Sequence, residues 1–207
     1  MRFISIVTQP HRLKYKNTET DNIRRFMTWL DIINRYYTSP SQARDILLMH
    51  STQVAALALE IARSNKLPIT ADDIITAAML HDIGIIGTDA PAIGCHGTAH
   101  YLQHGDIGAD MIRACAPEME TFARVAERHT GAGITDSDIA ENQLPLSARC
   151  HLPQTPLERL ICYADKFYSK SASMRRKTAE EARRSLRRFG EASARRFDDL
   201  CKEFGEQ

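Results

Sequence analysis

The residue types best suited to chemistry in this sequence are imidazoles and carboxylates. A histidine and an aspartate, His81-Asp82, stand directly before Ile83-Gly84 at the end of an apolar, helix-like run. Further candidates flank this pair along the chain: His50, His104, His129 and Asp165. Nitrogen and oxygen ligands without thiolate bind divalent cations, which polarise phosphoryl oxygens and lower the pKa of bound water. These side chains are enough for two divalent metal ions, so the sequence predicts a metalloenzyme.

Two of these residues also have an ordinary structural interpretation. A single histidine on the apolar face of a helix, as His50 is, is more often a satisfied core residue than a ligand. Asp165 lies between apolar neighbours, where a buried acid needs a counter-ion. A salt bridge to Lys166 or Lys170 would supply one as well as a metal would.

The His81-Asp82 pair favours metal over these alternatives. Adjacent side chains at a helix end reach one cation only where the backbone leaves helical geometry, and we assign that freedom to Gly84. His104 precedes Gly105 in a stretch whose small residues allow close backbone approach, although it could instead cap a helix. His129 lies at a helix end, where it could be a cation on the helix dipole.

The elements that must position these residues are helical. Apolar residues recur at helical spacing from Ile23 to Tyr37, from Ser41 to about Lys66, and after Thr70, which can cap the helix that delivers His81. A long loop without structure of its own is predicted over residues 86–100. Further helical patterns cover residues 101–115, 117–129, a short stretch after 135, and 155–170, and a charged tail over 175–204 is broken near Gly190. No convincing strand is present, so the predicted class is all-α.

Composition limits the remaining possibilities. With 207 residues, 43% of them apolar, the chain suits one core, and a net charge of +1 creates no general attraction for nucleic acid. We predict a flexible segment over residues 1–17 and a single domain over 18–207, with the motifs in 41–170 and amphipathic helices in 173–205. The five scattered cysteines indicate neither disulfides nor structural zinc, and no membrane segment is expected, so we expect a cytoplasmic protein.

The order of these residues resembles the HD-domain metal-dependent phosphohydrolases, over roughly residues 41–170. The spelling His81-Asp82-Ile83-Gly84 is characteristic of one large bacterial and archaeal branch. The resemblance implies an HD-domain helical bundle in which Asp82 bridges two metals. It further implies the ligand sets: His50, His81, Asp82 and Asp165 for the first metal, and Asp82, His104 and His129 for the second.

Two narrower resemblances are incomplete. The stretches around His104 and His129 are similar to hydrolases of symmetrical diadenosine tetraphosphate and, more distantly, to HD-GYP cyclic dinucleotide phosphodiesterases. The lysine that often follows the His-Asp-x-Gly motif is Ile85 here, and Gly133 is followed by Ile134 instead of Tyr-Pro. The resemblance is therefore used to predict the metal site of this chain, and it does not predict a particular substrate.

The expected function is hydrolysis of a phosphate ester or anhydride, in a nucleotide-like or other small phosphorylated substrate, by a hydroxide bridging the two metals. Asp82 would act as the bridge, and Lys166 and Lys170 would neutralise phosphate. Iron or manganese is the preferred metal, with zinc, nickel or magnesium as alternatives. The same resemblance allows two rival functions, namely a mixed-valent di-iron oxygenase and a non-catalytic HD sensing module.

Two peripheral segments complete the expectations. The loop over residues 86–100 directly follows the His-Asp pair and would form a lid or substrate wall, with His96 and His100 either touching substrate or lying on the surface. In the arginine-rich tail, acidic residues interleave with the basic ones, which favours a solvated or dimer-facing helix over nucleic-acid binding. A homodimer is thus possible on this reading.

Overall fold

The computed structural model describes residues 27–170 and 175–206, and this part of the chain is mostly helical, which confirms the all-α class. The predicted flexible segment over residues 1–17, together with Ile23 and Phe26, lies outside the described residues. The helices are α1 (Trp29–Tyr36), α2 (Gln42–Ser64), α3 (Ala71–Leu80), α4 (His104–Cys115), α5 (Glu120–Arg128), α6 (Asp136–Asn142), α7 (Pro156–Asp165), α8 (Ala179–Leu186) and α9 (Glu191–Phe204).

Most of these helices begin at a hydroxyl-bearing residue that caps them. In each case the side-chain oxygen accepts a hydrogen bond from a backbone N–H of the first turn, which would otherwise have no partner in the helix. The capping residues are Thr28, Ser41, Thr70, Thr135, Thr155 and Thr178. The predicted starts at Ser41 and Thr70 are therefore confirmed.

The core forms around α2, which packs against α3 and α7, while α4 packs against α5 and against a 3-10 turn, Ile83–Gly87. One buried cluster joins α2, α3 and α7 to the C-terminal helices, and a second joins α1, α3, α4 and α5. By length and composition α2 could cross a membrane, but half of its most apolar window is buried against these neighbours, as in a core helix.

The C-terminal tail forms two helices, separated at Gly190 as predicted. Gly190 has a φ of 99°, which favours glycine. The apolar face of α9 turns inward: Phe197 and Phe204 are buried and pack on Tyr163 of α7 at ring-centroid distances of 5.6 and 5.5 Å. Several arginines of the tail pair with acids, as Arg183 does with Asp198 and Arg187 with Glu191.

Three expectations need correction. The loop over residues 86–100 has structure of its own, because strands β1 (Asp89–Ala90) and β2 (Cys95–His96) pair antiparallel around a 3-10 turn, Pro91–Ile93. The statement that the chain has no strand was wrong for this hairpin, whose two-residue strands are too short to show alternation. The last core helix ends at Asp165 and not near Lys170, because the backbone tightens into three-residue turns from Lys166 onward.

Candidate metal centre

The six predicted ligands converge in the middle of the helical core. His50 lies within α2, and the others lie at element ends, where a helix stops or starts: His81, Asp82, His104, His129 and Asp165. All of them are buried, and the most exposed, Asp165, keeps only 7% of its surface. Their ligand atoms form two groups in which every pair lies within 4.8 Å: His50, His81, Asp82 and Asp165, and Asp82, His104 and His129.

Asp82 belongs to both groups, and its two oxygens divide between them. Asp82 Oδ2 lies 3.1 Å from His50 Nε2 and 3.1 Å from His81 Nε2. Asp82 Oδ1 lies 3.3 Å from both His104 Nε2 and His129 Nε2. One carboxylate thus faces two separate ligand sets, which is the arrangement of a bridging ligand.

The approach of α4 to the His-Asp turn depends on glycines. A Cβ on Gly84 would lie 2.1 Å from the His104 carbonyl oxygen and 2.3 Å from the Gly108 nitrogen. A Cβ on Gly105 would lie 2.7 Å from the Ala126 carbonyl oxygen on α5. The expected close approach at Gly105 is therefore confirmed, but the role assigned to Gly84 was wrong. Gly84 does not have a positive φ, and what it provides is space for α4.

The imidazoles are oriented by backbone carbonyls. Because a carbonyl oxygen only accepts, each contacting Nδ1 must carry the proton and donate it. The three bonds are His81 to Ala78 at 2.6 Å, His104 to Tyr101 at 2.6 Å, and His129 to Ala126 at 2.7 Å. Backbone carbonyls thus fix the tautomer and orientation of these three rings. In each neutral ring, Nε2 is left as a bare acceptor aimed into the cluster.

This proton arrangement makes the cluster fit a cation. His104 Nε2 lies 3.0 Å from His129 Nε2, and His50 Nε2 lies 3.3 Å from His81 Nε2. Nε2 of both His104 and His129 is an acceptor, and two acceptors at 3.0 Å repel unless a positive charge lies with them. Apart from the lysine ammonium groups beside Asp82 and Asp165, the polar atoms gathered here are acceptors. Nitrogen and oxygen acceptors of this kind are the ligands that a divalent metal requires.

Burial and neighbouring charges shift the pKa values of the ligands in opposite directions. Burial lowers the pKa of His81, but the charge of Asp82 and a hydrogen bond to Asp165 outweigh it and raise that pKa to about 9. Burial opposes ionisation of the two aspartates as well, yet Lys170 and Lys166 beside them hold both pKa values well below the usual range. Burial, together with the neighbouring His129, lowers the pKa of His104 to about 3.

Both predicted lysines lie at the centre. Lys166 Nζ is 2.6 Å from Asp165 Oδ2, and it donates to the His129 carbonyl at 2.9 Å. Lys170 Nζ is 2.6 Å from Asp82 Oδ2. Asp165 therefore forms the predicted salt bridge to Lys166 and also contributes an oxygen to the first group of ligand atoms. Lys170 reaches the site by the turns that follow α7, since the helix itself ends at Asp165.

Tyr101 is a residue of this site that sequence reasoning missed. Its ring stacks on His104 at 4.8 Å between centroids, and Lys170 Nζ lies 5.9 Å from the ring centre. An aromatic residue after a glycine-rich loop carries no pattern of its own. The only available signal was its position three residues before His104, where its carbonyl also orients that imidazole.

Other basic residues and histidines that lie near the ligands in sequence either have partners elsewhere or are exposed. Arg113 pairs with Glu120 and Glu127, and Arg128 pairs with Glu158 at 3.0 Å. His96 is exposed on β2. His100 accepts a hydrogen bond from Leu102 N and caps the 3-10 turn Tyr101–Gln103. The hairpin packs on the start of α2, where Gly94 meets Gln42.

Comparison with known proteins identifies a family, and two distant relatives are among the matching proteins. The family model described as HD domain matches residues 47–169. An uncharacterized protein of Methanocaldococcus jannaschii is 32% identical over 119 residues, which cover 56% of this chain and 62% of that protein. A tRNA (cytidine(56)-2'-O)-methyltransferase of Picrophilus torridus is 28% identical over 127 residues, covering 61% of this chain and 33% of that protein. The chain thus spans less than two thirds of either relative, and no solved structure matches it.

Proposed function

The chain belongs to the HD-domain family, the superfamily of metal-dependent phosphohydrolases, and from that premise we propose that it hydrolyses phosphate esters or anhydrides of a small phosphorylated or nucleotide-like substrate. The observation that carries this proposal is the division of the Asp82 carboxylate between two groups of buried ligand atoms. Two-metal sites of this kind are suited to in-line displacement at phosphorus.

The residues divide into those that would hold the ions and those that would hold the substrate. His50, His81 and Asp165 would hold one ion and His104 and His129 the other, with Asp82 shared between them. When bound, such ions supply Lewis-acid polarisation of the phosphoryl group and a water of lowered pKa. We favour iron or manganese for these ions, because imidazole and carboxylate ligands without thiolate suit both.

We assign Lys166, Lys170 and Tyr101 to the part of the site that would contact the substrate. Among the described residues, Lys166 and Lys170 are the cations nearest the ligand carboxylates. We therefore assign to them the neutralisation of the negative charge on the substrate's phosphate. Tyr101 holds the His104 ring by stacking, and it lies beside Lys170. Because the ligands themselves are almost completely buried, bulk water is kept away from the reacting centre, which strengthens electrostatic interactions there.

The test is phosphate release from a panel of generic phosphate esters, with manganese or iron and without oxygen. We expect release by the unmodified chain and a loss on the order of a hundredfold or more in Asp82→Asn, which keeps the shape of the side chain and removes its charge. Asp72→Asn, an exposed carboxylate in the first turn of α3, is the matched control and should retain the activity.

Repeating the measurement with iron and in the presence of oxygen separates the rival functions. Oxygen consumption, with a half-reduced iron pair visible by electron paramagnetic resonance, would instead identify a di-iron oxygenase. Metal uptake with neither phosphate release nor oxygen consumption would leave a sensing module. Phosphate release that is unchanged by Asp82→Asn would reject the assignment of the bridge.

A further inference from the structure

A cavity of about 440 Å³ lies between the turn that follows α5, the helix α6 and the start of α9. Four consecutive residues of its lining, 190–193, are the residue before α9 and the first turn of that helix. Among the described residues, the lining includes none of the six ligands of the candidate metal centre, so the cavity is a separate place in the fold. A volume of this size suits a small organic molecule.

The start of α9 presents backbone donors to this cavity. The helix is 14 residues long and begins without a side-chain cap, since its N-cap residue is Gly190. The N–H groups of Ser193 and Ala194 both donate to the Gly190 carbonyl, at 3.2 and 3.4 Å. Those of Glu191 and Ala192 donate to no acceptor in the part of the chain that the structure describes. Free donors at the positive end of a helix dipole attract an anion.

A buried hydroxyl independently indicates a ligand at the same place. Ser193 lines the cavity, yet the residue keeps only 3% of its surface exposed. Its hydroxyl forms no hydrogen bond with any described residue, although buried hydroxyl groups normally have a partner. The side chain faces the turn after α5, where a Cβ on Gly131 would lie 3.7 Å from Ser193 Oγ. A molecule in the cavity would give this hydroxyl the partner that it lacks.

The charges of the lining leave one guanidinium group available. Two of its acids are already neutralised, because Asp138 pairs with Arg196 at 2.7 Å and Glu191 pairs with Arg187 at 3.8 Å. Arg188 donates to a backbone carbonyl through Nε at 3.2 Å, and it forms no ion pair with any acid in residues 27–170 and 175–206. Its terminal nitrogens can therefore bind the oxygens of a carboxylate or a phosphate.

The rest of the lining limits the charge of the ligand. Glu141 is the remaining charged residue, and it forms no ion pair with another described residue. Together with Arg188 it leaves the lining neutral overall, which favours a molecule with one anionic group over a polyanion. Glu141 can also accept hydrogen bonds from hydroxyl or amino groups of that molecule. Apolar side chains, those of Leu102, Ile134 and Leu144, are available to its carbon skeleton.

We propose that this cavity binds a small organic molecule through one anionic group, a carboxylate or a phosphate, which contacts the start of α9, the Ser193 hydroxyl and Arg188. The site goes beyond the proposed function, because it depends neither on metal nor on hydrolysis. Arg188 and α9 lie after residue 169, where the match to the family model ends. The groups that bind the anion are therefore contributed by the C-terminal segment of this chain.

The test compares charged probes with uncharged molecules of similar shape. Lactate is paired with methyl lactate, and glycerol phosphate is paired with glycerol. Each is titrated at constant ionic strength into the full chain, labelled with nitrogen-15, after metal and chelator have been removed. We expect lactate, glycerol phosphate or both to shift the amide resonances of Glu191 and Ala192, and the uncharged partners to leave them unchanged. The anion that binds identifies carboxylate or phosphate as the ligand group. No shift with either anion at millimolar concentration would overturn the proposal.

Substitutions locate the binding. Arg188→Gln changes an exposed side chain, so it should fold normally and weaken binding of the anion about tenfold, the effect of losing a charged hydrogen bond. Ser193→Ala removes only the hydroxyl and should weaken binding about threefold or more. Arg195→Gln, at an exposed position on α9 outside the lining, is the matched control and should bind as the unmodified chain does. Equal binding by all three variants would reject the site.

Lys170→Gln distinguishes this cavity from the metal centre as the place where the anion binds. If the anion binds at the start of α9, Lys170→Gln should leave its affinity unchanged, because Lys170 is not part of the lining. An affinity that falls in Lys170→Gln and is unaffected by Arg188→Gln would place the anion at the metal centre and overturn the proposal.

Discussion

For Asp82, the sequence predicts that the side chain belongs to the metal centre but does not predict how its two oxygens are oriented. Residue types and the His-Asp-Ile-Gly spelling were sufficient to select the side chains that meet in the core, because imidazole and carboxylate are uncommon in apolar helical runs. The sequence could not show which oxygen faces which histidine, since that depends on the φ of −106° at Asp82 that ends the helical path after α3. Tyr101 was beyond prediction for a related reason, because its role comes from stacking between distant elements.

The titration of the histidines leads to a prediction for metal-free protein. His81 has a folded pKa of about 9, above its usual 6.5, so its contribution to stability is complete below about pH 6.5 and is lost as the pH rises through 9. His104 has a folded pKa of about 3, so stability is lost as the pH falls below about 6.5 and only the unfolded chain takes up the proton. We therefore expect maximal stability of the chelated chain near neutral pH.

Thermal unfolding in the presence of a chelator, followed by circular dichroism from about pH 4 to pH 10, measures this profile. His81→Gln should remove the decline on the alkaline side, because no titrating group then remains at that position. A melting temperature of the unmodified chain that kept rising through about pH 9 would show that His81 is not protonated in the metal-free fold.

At the scale of elements, the starts of helices were predicted better than the end of α7 and the short hairpin. Hydroxyl caps and helical periodicity gave the starts of α2 and α3, since these signals are local in sequence. The end of α7 at Asp165 was missed, because Lys166–Lys170 continues a helix-compatible composition while the backbone tightens into three-residue turns. The hairpin between residues 89 and 96 was missed because two-residue strands carry no detectable alternation.

The contact between the His-Asp turn and α4 can be tested through its glycines. Gly84→Ala places a Cβ against backbone atoms of His104 and Gly108, which cannot move separately from the helix. We expect a loss of at least about 2 kcal/mol in the free energy of unfolding, within the range of overpacked cores, and weaker metal binding because His104 is displaced. Urea unfolding and metal titration measure the two effects.

Gly87→Ala is the matched control, because its Cβ would meet only the flexible side chain of Ile107 at 3.1 Å. It should cost less than Gly84→Ala and leave metal binding unchanged. Equal effects of the two substitutions would mean that the close approach at Gly84 does not position α4.

At the scale of the whole molecule, the C-terminal helices are part of the same core as the metal centre. α9 packs on α7, whose last residue is the ligand Asp165, so the charged tail completes the fold instead of lying free in solvent. The amphipathic pattern predicted helices there, but it could not show where the apolar face packs, because that depends on α7, which is distant in sequence. The division into residues 1–17 and 18–207 remains a prediction.

A pair of phenylalanines tests this packing. Phe197 is fully buried between Tyr163 and Phe167, so Phe197→Ala should lower the free energy of unfolding by about 3–5 kcal/mol. Phe189→Ala, at an exposed site eight positions earlier in the same tail, should change it by less than about 0.5 kcal/mol. Similar values for both in urea unfolding would argue against a core that extends to α9.

The metal content of the full chain, purified without chelator, loaded anaerobically with iron or manganese and measured by mass spectrometry, tests the central claim most directly. The arrangement of the ligand groups predicts two ions per chain, close to one in His129→Ala, which alters only the second group, and almost none in Asp82→Asn. A chain that retains no transition ion, or a metal content that neither substitution changes, would contradict a dinuclear centre shared by Asp82.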